Sequence, residues 1–136
     1  MSTLKVNTLQ NTSGNTLTFI KQVVHVPKTD VWSAVASTGD FDTIFSASIT
    51  PSSTSSKILV FWNSNFSCKD SGQRGGFQML RGTTPVNVGD ANGSRTISGV
   101  GNLRSNSSTE SIPASQMFLD SPSSTSEVTY NLQVGA

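Results

Sequence analysis

The chain has one cysteine, one histidine and one tyrosine among its 136 residues, and only 12% of its side chains are charged. A lone Cys68 excludes an internal disulfide. With a single imidazole, His25, a zinc site or a Cys-His or Ser-His nucleophile pair would need widely separated residues to converge. His25 lies in Val23-Val24-His25-Val26 and is read as a strand histidine. Cys68, between Ser67 and Lys69, is read as a bystander thiol. The net charge is +1, and the nine Lys and Arg are scattered without a run. Nucleic-acid binding needs a clustered basic face, so it is not expected. No stretch approaches the roughly 18 apolar residues that a spanning helix needs, and membrane insertion is not expected. The start, Met1-Ser2-Thr3-Leu4-Lys5, has no apolar signal-peptide core, which points to synthesis in a cytoplasm. The N-x-S/T matches at Asn11, Asn65, Asn92 and Asn106 then carry no glycosylation argument.

Motifs for chemistry are equally sparse, and no enzyme and no cofactor is expected. No G-x-S-x-G occurs. Asp40-Phe41-Asp42 places two carboxylates side by side, without the separation that would flank a glycosidic bond. Asp90-Ala91-Asn92-Gly93-Ser94 opens like a calcium loop, but the closing Glu is missing. Gly99-Val100-Gly101 lacks the third glycine of a dinucleotide loop.

What the chain has in abundance is neutral polarity. Ser, Thr and Asn supply 50 residues, whereas hydrophobic residues make up 34%. Low hydrophobicity leads to disorder mainly when net charge is high, and here it is not. A single domain with a small core is expected, one in which subunits bury one another's apolar residues. The three abundant residue types are poor helix formers, and no window repeats at helical spacing. Alternation with period two recurs instead. Residues 127–134 put Val128, Tyr130, Leu132 and Val134 on one face and Glu127, Thr129, Asn131 and Gln133 on the other. Residues 57–66 open as an apolar run, which predicts a strand covered on both faces at its start, with Trp62 in the core beside Ile58, Val60 and Phe66. Further strands are predicted at 4–9, 16–24, 31–36, 43–50, 76–81, 96–100 and 115–120. Turn residues separate them: Asn11 to Asn15, Pro51 to Ser56, Ser71 to Gly76, Asp90 to Gly93 and Ser121 to Ser126. Residues 102–111 have Leu103 as their only apolar side chain and are predicted to be a mobile loop. Short strands with turns every ten or so residues predict an all-β fold, a β-sandwich or jelly roll of antiparallel strands with an N-terminal β arm. Trp32, Asn102, Arg104 and Asn106 are the candidates for an exposed binding loop.

Four stretches carry a family resemblance: residues 2–14, Ile49 to Val60, Leu80 to Pro85 with Gly89-Asp90-Ala91, and Phe118 to Pro122 leading into Val128-Thr129-Tyr130. Together they resemble marine and cyanobacterial phage tail-fibre-type virion structural proteins. That resemblance implies a bacteriophage particle as the setting, after synthesis in the host cytoplasm. It also implies β-rich trimeric assembly, other virion proteins as partners and, at a fibre tip, a host glycan or receptor. Capsid decoration and carbohydrate or receptor binding are the alternatives. The relatives in question continue for a few strands beyond the position of Val134. On this basis the chain is divided into an arm, residues 1–20, for attachment or trimerisation, and a sandwich, residues 21–136.

The arm offers only Leu4, Val6 and Leu9 as sizeable apolar anchors, too few for a free hairpin to hold in water. Deleting residues 2–15 is therefore expected to leave strand content by circular dichroism almost unchanged while abolishing incorporation into particles. Normal copy number in virions would refute the arm.

Overall fold

The computed structural model describes residues 12–13, 20–33, 40–69, 72–90, 92–94, 97–107 and 109–135. Seven strands and no helix occur among them: β1 (Phe41–Ile49), β2 (Ile58–Phe66), β3 (Arg74–Arg81), β4 (Thr84–Val86), β5 (Val100–Arg104), β6 (Ile112–Asp120) and β7 (Val128–Gly135). They form two antiparallel sheets packed face to face, an all-β sandwich. The larger runs β1-β7-β3-β4, with β5 beside the N-terminal half of β3; the smaller is the ribbon β2-β6. Leu4, Val6 and Leu9, and with them the predicted arm strand, lie outside the described residues.

The alternation of β7 decides the core. Val128, Tyr130, Leu132 and Val134 are all buried, and Leu132 is fully excluded from solvent. Central placement between β1 and β3 explains this, since a strand flanked on both edges presents only its two faces. Across the core, β2 contributes Ile58 and Trp62, and β6 contributes Ala114. β3 adds Phe77 and Met79. The rings of Trp62 and Phe77 lie 4.9 Å apart, and Phe66 meets Phe77 edge-on at 6.0 Å, geometries that aromatic quadrupoles favour. Phe66 comes so close to the backbone of Gly75 that a Cβ there would stand 2.5 Å from its ring. Glycine at 75 is thus what lets the ribbon close down on the sheet.

Local chemistry sets the other strands. The β1–β7 register shifts between Thr43 and Phe45, a bulge that takes up Ile44 and brings Phe45, Ala47 and Ile49 onto the inner face. The β3–β4 hairpin turns on Gly82-Thr83 between the paired Arg81 and Thr84. Gly82 has φ +60, as the first central residue of a type II′ turn requires. β4 is short and carries Pro85, which an edge strand tolerates; its brevity hid it from the alternation pattern.

Three expectations are corrected. The strand predicted at 96–100 forms four residues later, because Val100 pairs with Phe77 and Gly75 with Leu103. Residues 20–24 and 31–33 are not strands; their alternation finds no neighbouring strand to pair with. The start of β2 is not covered on both faces, since its sheet has only two strands and Leu59 and Phe61 project from its outer side into solvent.

Leu132→Ala or Val128→Ala is expected to cost roughly 2–4 kcal/mol, from lost burial plus the cavity left behind. Thr129→Ala, on the opposite face, should cost far less. Urea unfolding midpoints check this, and equal losses on the two faces would contradict it.

Candidate functional site

The two sheets have unlike outer faces. That of the large sheet is a lattice of neutral hydrogen bonds. Ser46 Oγ donates to Asn131 Oδ1 at 2.6 Å, and the hydroxyls of Ser48 and Thr129 meet at 2.8 Å. Gln78 Nε2 donates to Gln133 Oε1 at 2.8 Å, Gln133 Nε2 to Thr43 Oγ1 at 3.1 Å, and Asn131 Nδ2 to the Gly82 carbonyl at 3.0 Å. Each pair links neighbouring strands, so the polar half of the alternation ties the sheet together.

The outer face of the β2-β6 ribbon has a different composition. Opposite one another stand Leu59 and Leu119, Phe61 and Met117, Asn63 and Ser115, Asn65 and Pro113. Leu59, Phe61, Met117 and Leu119 are 57%, 72%, 69% and 63% exposed. The eight outward positions within the two strands carry no charge; at the Leu59 end the face is closed by Lys57, which is exposed and whose Nζ donates to Ser121 Oγ at 2.6 Å. The ribbon is held to the large sheet at one end by an ion-pair cluster. Arg81 Nη1 donates to both oxygens of Asp120 at 2.8 and 2.9 Å, and the Tyr130 hydroxyl donates to Asp120 Oδ2 at 2.5 Å. Arg81 and Tyr130 are register partners on β3 and β7, which is why both reach the same carboxylate on β6. Burial pushes the Asp120 carboxyl up, but the Tyr130 hydroxyl, the Ser121 amide and Arg81 outweigh it and hold the group below its ordinary value. Burial and the neighbouring carboxylate together push the Tyr130 hydroxyl well above its own.

A wide cleft of about 2280 Å³ separates β2 and the inner face of β1 from residues 20–33. Its lining is mostly apolar, with Ile20, Val24, Trp32, Phe45, Ile58 and Trp62 among the wall residues. The Trp62 indole nitrogen is buried without a hydrogen-bond acceptor among the described residues. Among the described residues no group of three or more His, Cys, Asp or Glu side chains is placed to hold a metal ion.

The residues proposed for an exposed binding loop do not converge. Trp32 is half-buried and packs against the core cluster, although Val31 beside it is 92% exposed. Asn102 and Arg104 belong to β5, not to a loop, and Arg104 is exposed opposite Arg74. Asn106 is exposed, and its amide donates to Glu110 Oε2 at 2.6 Å. Between them Ser105 is fully buried; its amide donates to the Gln73 carbonyl at 3.2 Å, and its carbonyl accepts from Gly72 at 2.7 Å. Residues 102–104 are thus strand, and residues 105–107 follow as a turn pinned through Ser105. Leu59, Phe61, Met117 and Leu119 were not singled out from the sequence. Their signal was present, because both strands carry apolar residues on both faces, but it was read as burial within one chain.

Searches against protein-family models, curated proteins and solved structures each found no match.

Asp120→Asn is expected to lower stability by about 1–3 kcal/mol at neutral pH, the range for hydrogen bonds to charged groups. In the wild type, a carboxylate held below its ordinary value contributes fully above about pH 4 and loses that contribution as pH falls through the lowered value. Urea midpoints measured from pH 6 down to pH 2 should therefore fall more steeply for the wild type than for the variant. Parallel curves would refute the role of the cluster.

Proposed function

We propose that this chain is a non-enzymatic structural subunit of a bacteriophage particle, a tail-fibre or appendage protein that assembles as a homotrimer. One observation carries the assembly part of this reading. Among the described residues, ten apolar side chains form the buried core and ten large ones stand exposed: Ile20, Val23, Val24, Val26, Val31, Leu59, Phe61, Ile97, Met117 and Leu119. Scattered exposed apolar residues are ordinary, but here nine of the ten, all but Ile97, gather on one segment and one sheet face, which marks interaction surfaces. A chain that leaves this much apolar surface in water is suited to having it covered by neighbours.

The particle setting rests on the resemblance of four stretches to phage fibre-type proteins, which the all-β sandwich suits. A fibre built of such subunits holds together without disulfides by burying apolar surface between them. Its exterior is largely neutral Ser, Thr and Asn, and its charges are scattered and nearly balanced, which limits non-specific binding. Host recognition by loops fits the same setting. Asn106, exposed beside the buried Ser105 and tied through its amide to Glu110, is the side chain this reading offers to a glycan or receptor.

Light scattering on purified protein at low micromolar concentration should give about three times 14.4 kDa. Immunogold labelling of particles should place the protein on an appendage. A stable, folded monomer would refute the trimer, and labelling of heads would assign the chain to capsid decoration.

A further inference from the structure

We infer that the outer face of the β2-β6 ribbon is the surface by which copies of this chain meet, turned toward the symmetry axis of the assembly; the inference rests on the homotrimeric reading above and names its interface. The strongest argument is the contrast between the two outer faces. On the large sheet every second residue of β7 outside the core is Thr, Asn or Gln, and these hydrogen-bond across strands. On the ribbon, at the same alternation, the outward residues are Leu59, Phe61, Met117 and Leu119, set opposite one another in two cross-strand pairs. One exterior is fitted to water and the other is not.

Area and charge identify the occupant as a second copy. The four apolar side chains expose on the order of 500 Å², at the upper end of the patches that lone soluble proteins carry. Asn63, Asn65, Pro113 and Ser115 continue the same face, bringing it near the roughly 800 Å² per partner that stable interfaces bury. Around a closed symmetry axis equivalent residues of different copies approach one another, so any charge on the face would meet its like. The eight outward positions within the strands are apolar or neutral polar, and the charge of Lys57 stands at the rim, turned to Ser121. A single lysine at the rim, Lys57, is too little positive charge for an anionic lipid surface or nucleic acid, both of which bind through clustered basic groups. Phe and Met are the residue types enriched at the centre of protein interfaces, and here Phe61 and Met117 form the middle pair. The neutral amides of Asn63 and Asn65 give one end of the face hydrogen-bonding groups that fix register without cost in charge.

The test introduces charge on this face and reads mass. Phe61→Asp and Met117→Lys alter exposed side chains outside the core, so each variant is expected to keep the wild-type circular dichroism spectrum. By light scattering each should run as a monomer at concentrations where the wild type is a trimer. Ser52→Asp, in the exposed turn before β2, should stay trimeric. If either charged variant fails to fold, Phe61→Ser and Met117→Gln take its place, with dissociation expected at a protein concentration at least ten times higher than for the wild type. A folded, trimeric Phe61→Asp protein would overturn the assignment while leaving the homotrimer intact. A monomeric wild type would overturn both. A variant that keeps its mass but loses binding to host cells or to lipid vesicles would also overturn it, making the face an external docking site.

Discussion

The sandwich depends on one contact, the closure of a two-stranded ribbon onto a five-stranded sheet through Trp62, Phe66 and Phe77. These three rings are the only aromatic cluster between the layers among the described residues, and the absence of a side chain at Gly75 sets how near they come. Large aromatic groups let a narrow ribbon bury much apolar area from few positions. The ion-pair cluster at Asp120 fastens the other end of the same ribbon. Between these two points β2 and β6 are held rigidly enough to present their outer face.

That arrangement explains why so polar a chain folds as it does. With hydrophobic residues at 34%, the fully buried positions concentrate on β7 and β3, the strands with neighbours on both sides. The remaining apolar residues fall on the ribbon, on both of its sides. A lone copy can cover only one of those sides, so the composition that makes the core small also leaves an apolar exterior.

Much of this was legible in the sequence where alternation was clean. In β7 the residues from Val128 to Val134 were assigned to their faces without error, because each apolar side chain sits between neutral polar ones. Trp62 is legible as core because it shares a strand face with Ile58, Val60 and Phe66. Legibility failed where the signal depends on a neighbour that the sequence does not name. Residues 20–24 are apolar enough to suggest a strand but pair with nothing in the described chain, and β5 takes its register from Phe77, not from its own pattern. The apolar run at Ile58 to Trp62 states that both faces of a strand avoid water; it does not state whether one chain or two do the covering. The polar stretch 102–111 reads as a loop because hydroxyl and amide side chains resemble turn chemistry, yet Ser105 is buried, with its backbone bonded to Gly72 and Gln73, which composition does not reveal.

The neutral lattice on the outside of the large sheet has a bearing on the conditions the molecule withstands. Its members, Ser, Thr, Asn and Gln, have no proton to gain or lose over the biological pH range, and their hydrogen bonds act at contact distance. Screening shortens the reach of charge from about 10 Å at 0.1 M salt to about 3 Å at 1 M, but dipoles in direct contact are scarcely affected. An exterior cross-linked in this way keeps its order from dilute to saline surroundings, where a surface held by ion pairs would loosen as salt rose.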